Sequence, residues 1–352
     1  MSRNFNIYTF SAMIKKNLLK SVFSICLLAV CLMPLSAQAA ALRGDVDNSG
    51  DVTISDVTTL INLLLSNAAE GNEAADCNGD GAVNINDVTT LINYLLSKEW
   101  PVIEVYEPQY ESFTVGSVTF RMLLVEGGTF MMGGSEDDPR ARPWEFPVHE
   151  VTLSDYYIGE FEVTQALWRA VMGTSSSNNP SWFTPTNGYT ANYQLPAESM
   201  TYTQITSFIT KLNQKTGKTF RLPTESEWEY AARGGKWSKG YYYIGGDDVD
   251  AVAWTSANAG SITHVGGQKA ANEIGLYDMG GNVEEWCSDY WSDAYDPAPS
   301  TNPTGPTSGT MRVIRGGSWD QAYYVCRASA RHDASTGYKS AHTGIRLALS
   351  KQ

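Results

Sequence analysis

The chain has 352 residues with 25 basic and 38 acidic side chains, so its formal net charge at pH 7 is −13. This length permits two or three domains. The excess of negative charge argues against nucleic acid or an anionic membrane as a partner, because both would repel the protein. Only four histidines are present, and their spacing does not match a zinc site.

The first 39 residues have the pattern of a secretory signal peptide. Four basic residues precede an apolar run over residues 22–35, and Ala37, Gln38 and Ala39 form a small-x-small cleavage site. Pro34 ends the run too early for a retained transmembrane anchor. Loss of this leader changes the formal net charge from −13 to −17, because it contains four basic and no acidic side chains. The sequence therefore predicts export to an extracellular, cell-surface or periplasmic location.

Two acidic, glycine-containing loops come next, and each leads directly into the same segment, DVTTLIN. Oxygen donors at loop positions 1, 3, 5, 9 and 12, Gly at 6 and a backbone carbonyl at 7 form the pattern of an EF-hand calcium loop. Two such loops in register favour calcium over a pair of solvated acidic turns. The predicted ligands are Asp45, Asp47, Ser49, Asp51, Thr53 and Asp56 in the first loop, and Asp76, Asn78, Asp80, Ala82, Asn84 and Asp87 in the second.

The segment after each loop predicts a short amphipathic helix. Apolar residues recur at i, i+3, i+4 and i+7, and we expect the two apolar faces to pack against each other. These faces are Val57, Leu60, Ile61 and Leu64 in the first helix and Val88, Leu91, Ile92 and Leu95 in the second. A unit spanning residues 40–99 has little core of its own, so we expect calcium to supply much of its folding free energy.

Residues 44–97 resemble a type I dockerin in their order of loop, helix, linker and repeat. Dockerins bind the cohesin domains of scaffold or surface proteins, so the resemblance implies a cohesin-bearing partner. The positions that match the usual cohesin contacts are Ile54 and Ser55 in the first repeat and Ile85 and Asn86 in the second.

After a connector at residues 100–117, residues 118–352 predict a larger α+β domain with much irregular structure. Three helix starts are predicted by capping residues: Thr164, Thr201 with Gln204, and Thr224 with Glu227. Short strands are expected at 120–125, 130–132, 149–153 and 311–314. His332 is expected in a loop.

Six segments of this domain resemble the sulfatase-modifying-factor family, and they occur in the family's order. They are VEGGTFMMG at 125–133, PVHEVTLSDYYIGEFEVTQALW at 147–168, FRLPTESEWEYAARGG at 220–235, GLYDMGGNVEEWCSDYW at 275–291, RVIRGGSWD at 312–320 and GIRLAL at 344–349. The resemblance implies the formylglycine-generating-enzyme fold, which is a variant of the C-type lectin fold.

Active enzymes of that family use two cysteines to hold copper and to oxidise a sulfatase cysteine to formylglycine. The first cysteine lies two residues after the aromatic residue of the GGSW-type motif, and the second lies five residues later. Here the first position is Gln321, an amide without thiolate chemistry. Cys326 stands five residues on, but the segment that begins there also aligns, after a short deletion, with an Arg-x-x-x-Arg stretch further along the family pattern. Copper is therefore not expected, and the departure leans against an enzyme.

Three cysteines follow the leader. Cys287 and Cys326 are candidates for one disulfide in an oxidising compartment, whereas Cys77 is expected to stay free. The family resemblance also implies a calcium site in the large domain. Its ligands would be the side chains of Asp278 and Glu285 and the carbonyls of Gly281 and Val283.

The segment at residues 320–343 mixes Tyr, Ser, Ala, Arg and His, as adaptable binding surfaces do. The equivalent stretch faces the ligand in lectin-like folds. The candidate ligand-binding residues are Trp319, Gln321, Tyr323, Tyr324, Arg331, His332 and His342.

Three functions stay open at this point. The leading one is an exported protein whose calcium-loaded dockerin tethers a non-catalytic domain that binds a protein or a glycan. The second is a divergent oxidoreductase of the formylglycine-generating type. The third is a component of a polysaccharide-degrading complex.

Overall fold

The computed structural model describes residues 42–66, 68, 72–79, 81–100 and 106–351. The chain divides between residues 104 and 105 into two units, each with its own hydrophobic core. The predicted signal peptide and Asp80, a predicted calcium ligand, lie outside the described residues. Within those ranges, no helix combines the length and apolar character needed to cross a membrane.

The described residues of the smaller unit form two helices, α1 (Ile54–Leu65) and α2 (Ile85–Ser97). Each begins at a capping box in which the N-cap side chain and the third helical residue exchange hydrogen bonds with backbone amides. The N-caps are Thr53 and Asn84. These local signals are the reason that the two helices start where they do.

The core of this unit is only partly as predicted. Its buried members are Val46, Val57, Leu60, Ala75, Cys77, Val88 and Leu91. Ile61 and Ile92 were expected in the packed faces, but each is 39% exposed. Two short helices can bury only the strip of each that faces the other, so the outer edge of each predicted face stays in solvent.

The larger unit is built from three sheets and four helices within the described residues. In chain order the strands are β1 (Tyr110–Val115), β2 (Val118–Val125), β3 (Gly128–Met132), β4 (His149–Leu153), β5 (Tyr156–Gly159), β6 (Phe220–Arg221), β7 (Glu284–Tyr290), β8 (Ser300–Thr301), β9 (Met311–Arg315), β10 (Arg331–Ser335), β11 (Thr343–Gly344) and β12 (Ala348–Ser350). The helices are α3 (Gln165–Met172), α4 (Tyr202–Thr216), α5 (Glu225–Ala232) and α6 (Val249–Val252).

The sheets have orders β1-β2-β5-β12-β6, β10-β9-β7-β11 and β3-β4-β8. Pairing is antiparallel except between β7 and β11 and between β4 and β8. The predicted α+β class is therefore confirmed, with curled, mixed sheets in the large unit and a small helical unit before it. Trp286 lies in one core cluster and Cys287 in the next, so β7 separates the two halves of the core. Glu284 stands at the start of this strand.

The three predicted helix starts of the large unit are confirmed, with Thr164, Thr201 and Thr224 as N-caps. The predicted strands are also present with small shifts at their ends. The connector was placed wrongly, because β1 lies within residues 100–117 and buries Phe113 and Val115. The Pro and Glu residues before it made this segment resemble a linker.

His332 was also placed wrongly in a loop. It lies on β10 opposite Ile314. Its strand is short and polar, so the pairing depends on β9 rather than on a hydrophobic pattern in β10 itself.

Candidate calcium loops and candidate ligand-binding cavity

The first acidic loop brings three carboxylates together. Asp45, Asp47 and Asp56 offer oxygen atoms that all lie within 4.8 Å of one another. Asp45 accepts hydrogen bonds of 2.8 Å from the amides of Ser49 and Gly50, which curls the loop around it. Carboxylates at this separation repel one another unless a cation lies between them, and hard oxygen donors suit Ca²⁺.

The second loop repeats this hydrogen-bond pattern. Asp76 accepts from the amides of Gly79 and Gly81 at 2.8 and 2.9 Å. Gly50 and Gly81, at the sixth position of each loop, have φ of +94° and +84°, a backbone conformation that favours glycine. The two loops therefore share their backbone conformation at the sixth position and a similar set of hydrogen bonds to the first residue.

The twelfth residue of each loop joins the loop to its helix. Asp56 accepts from the amides of Asp47 and Thr53 at 3.1 and 2.8 Å. Asp87 accepts from the amides of Asn78 and Asn84 at 3.0 and 2.8 Å. Both aspartates have no exposed surface. A change in either carboxylate should therefore disturb loop and helix together.

The remaining predicted ligands lie around the same loops. The side chain of Thr53 accepts from the amide of Ser55, and that of Asn84 accepts from the amide of Asn86. The loop-position-7 carbonyls, those of Asp51 and Ala82, accept from the side chains of Ser49 and Asn84 at 3.2 Å.

The residues expected to contact cohesin are on the surface of the small unit. Ile54 is 71% exposed and Ile85 67% exposed. Ser55 and Asn86 beside them are exposed as well. The hydroxyl of Ser55 donates to Asp47 at 2.8 Å, so the first contact position is linked to the calcium loop.

In the large unit, a buried carboxylate gathers several of the predicted ligand-binding residues. Glu284 is 1% exposed, and its Oε1 accepts a 2.8 Å hydrogen bond from the Gln321 side-chain amide. Nε2 of His332 lies 3.3 Å from the same oxygen. Thr343, opposite Glu284 in the β7–β11 pairing, donates its hydroxyl to Oε2 at 3.4 Å.

His342 extends this network toward the surface. Its Nδ1 lies 2.9 Å from Asp320 Oδ2, and its Nε2 lies 2.7 Å from the Tyr338 hydroxyl and 3.8 Å from Glu284 Oε2. Burial lowers the pKa of His342, but the hydrogen bond to Asp320 and the charges of Glu284 and Asp320 outweigh it. The net effect raises the pKa above its ordinary value of 6.5.

A cavity of about 260 Å³ opens beside this network, and we call it the Gln321 cavity. Four of the predicted ligand-binding residues line it: Gln321, Tyr324, Arg331 and His332. Trp319 instead packs edge-on against Phe183, with ring centres 5.6 Å apart. Tyr323 is 42% exposed.

Arg331 lines the cavity but its charge is already neutralised. Its guanidinium donates to Glu225 at 2.5 and 2.9 Å. Arg315 on the neighbouring strand pairs with Glu225 and Glu229 in the same buried network. Arg331 therefore supports the cavity wall rather than offering a free charge to a ligand.

The expected disulfide is absent. Cys287 and Cys326 are free, and they are buried in different hydrophobic clusters, one around β7 and the other beside α6. Cys77 is also free and buried. Burial, with a smaller effect from the charge of Glu284, raises the pKa of the Cys326 thiol to about 12. This thiol is therefore protonated at neutral pH.

The implied calcium site of the large unit offers one available carboxylate. Asp278 is 2% exposed with φ of +54°, and its Oδ1 has no hydrogen-bond partner among the described residues. Burial raises the pKa of Asp278 to about 6. Glu285, by contrast, accepts from Arg346 and from the Trp228 indole at 2.7 Å. The carbonyls of Gly281 and Val283 belong to the turn between these two side chains.

Sequence reasoning missed several residues of these sites. Glu162, fully buried beside Asp278, accepts from the amide of Val283 at 3.3 Å, and burial raises its pKa well above the ordinary value. Glu284 was passed over although its neighbour Glu285 was selected. The cavity residues Arg140 and Trp144 carried no recognisable motif, because they precede Gln321 by more than 170 residues.

Comparison with known proteins agrees with this architecture. Residues 110–351 match the family described as sulfatase-modifying factor enzyme 1-like domain, and residues 43–96 match the type I dockerin domain. The first match covers well over half of the chain. The chain therefore belongs to the sulfatase-modifying factor enzyme 1-like family and carries a type I dockerin before the family domain.

Several relatives cover the large unit. The chain is 30% identical over 285 residues to the chaperone protein LppX of Paenibacillus barcinonensis, covering 67% of this chain and 91% of that protein. It is 29% identical over 282 residues to the formylglycine-generating enzyme of Thermomonospora curvata, covering 64% of this chain and 92% of the enzyme.

Two solved structures share the fold. Treponema denticola variable protein 1 matches with a TM-score of 0.61 and 33% identity, and PvdO from Pseudomonas aeruginosa with 0.59 and 26%. Each comparison covers 70% of this chain and all of the other. The predicted dockerin and sulfatase-modifying-factor resemblances are thus confirmed.

Proposed function

We propose that this chain is an exported binding protein in which a calcium-loaded dockerin attaches a non-catalytic domain to a cohesin-bearing partner. The large domain would bind a protein or a glycan through the surface from Trp319 to His342. The single observation that most supports a non-catalytic large domain is the hydrogen bond from Gln321 to Glu284. It gives the side chain of residue 321 a structural role in which an amide N–H is a stronger donor than a thiol would be.

Calcium would bind in the two dockerin loops, held by Asp45, Asp47 and Asp56 in the first and by Asp76 and its equivalents in the second. The convergence of three carboxylates within 4.8 Å supports this assignment. When bound, the ion supplies positive charge that offsets their repulsion and so stabilises the folded loops. Type I dockerins in general bind calcium and cohesins, and the exposed Ile54 and Ile85 leave the expected contact surface accessible.

The chemistry of the thiols also supports a non-catalytic domain. Copper binding and thiol oxidation both require an accessible thiolate. Cys326 is 1% exposed and protonated at neutral pH, and residue 321 offers no second sulfur. The relatives that are named formylglycine-generating enzymes keep the oxidoreductase hypothesis as the main alternative.

An oxidase assay separates these two functions. The protein is incubated with a cysteine-containing sulfatase peptide, and aldehyde is measured by hydrazone formation. We expect none. Copper titrations of the wild type and Cys326→Ala should look the same. Aldehyde formation, or a copper site that Cys326→Ala removes, would establish the oxidoreductase instead.

A pull-down from the envelope of the producing cell tests both binding activities. We expect capture of a cohesin-bearing protein with calcium but not with chelator, and loss of that capture in Asp56→Ala/Asp87→Ala. Tyr323→Ala should weaken capture of the large domain's own ligand. Tyr110→Ala removes another exposed tyrosine, from β1, and is the control. Equal capture of the cohesin-bearing protein with and without calcium would contradict the tethering function.

The polysaccharide-degrading complex is the broader setting that a cohesin partner would favour. A glycan array distinguishes two roles that the large domain could have in such a complex, binding and catalysis. Binding without release of sugar supports a lectin-like helper, whereas released sugar would show that the domain is catalytic.

A further inference from the structure

The Gln321 cavity offers different chemistry at its floor and at its rim. Resting on the proposed ligand-binding function of the large domain, we propose that this cavity holds one acidic sugar residue of a glycan, a sugar that carries a carboxylate or a sulfate group. The anionic group would meet Arg140 and Arg142, and the hydroxyl groups would meet Glu284 and Gln321.

The rim carries two uncompensated positive charges. Arg140 and Arg142 line the cavity and are exposed, and neither forms an ion pair within the described part of the chain. The deeper arginines are all neutralised, as shown by Arg327 with Asp138 and Glu145 at 2.9 Å. Guanidinium groups bind carboxylate and sulfate through paired, charge-assisted hydrogen bonds. In a chain with a net charge of −13, this rim is suited to an anion.

The floor offers hydrogen-bond acceptors that need donors. Gln321 Oε1 is buried and has no partner among the described residues, while its amide nitrogen is used by Glu284. The Glu284 carboxylate beside it can accept further hydrogen bonds. A buried acceptor without a donor lowers stability, so a ligand with hydroxyl groups is favoured here.

Two aromatic side chains form part of the wall. Trp144 is 36% exposed with its indole N–H already bonded to the Arg331 carbonyl, so its ring is held in place. The guanidinium carbon of Arg140 lies 5.2 Å from the ring centre of Tyr324, which positions that cation at the rim. The volume of about 260 Å³ is small compared with drug-sized pockets, and it suits a single sugar ring.

An acidic peptide satisfies this cavity less well than an acidic sugar. An Asp or Glu side chain would pair with Arg140 and Arg142 but would bring no donor to Gln321 Oε1. A neutral sugar would supply the donors and leave both arginines without a partner. A sugar with hydroxyl groups and an anionic group uses both ends with a single residue.

Titration calorimetry on the full-length protein tests this assignment. The probes are a galacturonate trimer, a sulfated galactose oligosaccharide, a neutral galactose oligosaccharide and a glutamate-rich peptide. We expect one or both acidic sugars to bind at least about tenfold more tightly than the neutral sugar, with the carboxylate and sulfate probes showing which group is preferred. Arg140→Gln/Arg142→Gln should lose this advantage, and added salt should reduce it.

Lys211→Gln/Lys215→Gln is the matched control. It removes the same charge from exposed positions on α4 outside the cavity and should bind as the wild type does. Equal affinity for acidic and neutral sugars, no effect of the arginine double variant, or preference for the peptide would each overturn the acidic-sugar assignment. The proposed ligand-binding function would survive those results if the envelope ligand were still captured through Tyr323. It would fail together with the assignment if the wild type captured nothing and bound no probe.

Discussion

The side-chain amide of Gln321 donates a 2.8 Å hydrogen bond to the carboxylate of Glu284, which is 1% exposed. These residues are 37 positions apart, one on the loop after GGSW and the other at the start of β7. Their contact fixes the GGSW loop against the four-stranded sheet. Gln321 also lines the cavity, and its Oε1 is a buried acceptor without a partner among the described residues.

The dockerin unit should lose its calcium-dependent folding in Asp56→Ala/Asp87→Ala. Each substitution removes the third helical residue of a capping box, worth about 1 kcal/mol, together with a proposed calcium ligand. Far-UV circular dichroism with calcium and with chelator measures the effect. Asp51→Ala is the control, because the seventh loop residue is predicted to contribute its backbone carbonyl. A double variant that still gains helix on calcium addition would contradict the assignment.

The three cysteines of the described region should resist alkylation in the native protein. Cys77, Cys287 and Cys326 are all at most 1% exposed. Burial raises the pKa of both Cys77 and Cys326 to about 12, so almost no thiolate exists at pH 8. Peptide mapping after iodoacetamide should find no label on these residues in buffer and label on all three in urea without reductant. Protection of Cys287 and Cys326 in urea would reveal a disulfide.

Glu198 should make the large unit less stable as the pH rises. Burial raises the pKa of its carboxyl from 4.5 to about 7, although Ser199 and the amides of Trp182 and Phe183 donate hydrogen bonds to it. Its favourable contribution is complete below pH 4.5, where both folded and unfolded chains are protonated. It is lost as the pH rises through 7, because the unfolded chain ionises first.

Replacement of this carboxyl by an amide tests the effect. Glu198→Gln keeps an oxygen for both amides, and from pH 4.5 to pH 8 it should gain up to about 3 kcal/mol of unfolding free energy relative to the wild type. Tryptophan fluorescence follows the large unit, which contains all but one of the ten tryptophans. Glu150→Gln, at an exposed position on β4, is the control. The same pH dependence in both variants would rule out Glu198 as the cause.

Arg315 should be among the residues most important for stability. It is 1% exposed and neutralises Glu225 and Glu229 inside the core. Arg315→Ala would leave those carboxylates buried with less positive charge, at a cost of about 3–5 kcal/mol. Arg142→Ala, at the exposed rim of the cavity, should cost less than about 0.5 kcal/mol. Urea denaturation measures both, and similar midpoints for the two variants would show that the buried network is not needed.

The features that sequence analysis predicted correctly are local ones. A capping box joins residues three apart, as with Thr201 and Gln204, and so its geometry is written in a short segment. The dockerin loop is equally local, because its first and twelfth residues, Asp45 and Asp56, are eleven positions apart. The fold of the large unit was predicted from six short motifs that resemble the family, and not from the spacing of its apolar residues.

The features that were missed join distant segments. The packing of Glu284 with Thr343 connects residues 59 positions apart, and that of Glu225 with Arg331 connects residues 106 apart. Arg331 was therefore predicted to bind a ligand, although Glu225 already neutralises its charge inside the protein. Cys287 and Cys326 were similarly predicted to form a disulfide, because few cysteines follow the leader and the compartment was expected to be oxidising. The fold instead buries them in separate clusters.

The amino-acid sequence by itself determined the two calcium-type loops, the helix starts and the family of the large unit, since each depends on neighbouring residues or on a motif. Only the tertiary structure decided which charges are neutralised and which remain available to a ligand. That outcome depends on distances of a few ångströms between side chains far apart in the chain. Arg331 and Arg142 illustrate the difference, because both line one cavity but, of the two, Arg331 alone forms an ion pair with a carboxylate of the described residues.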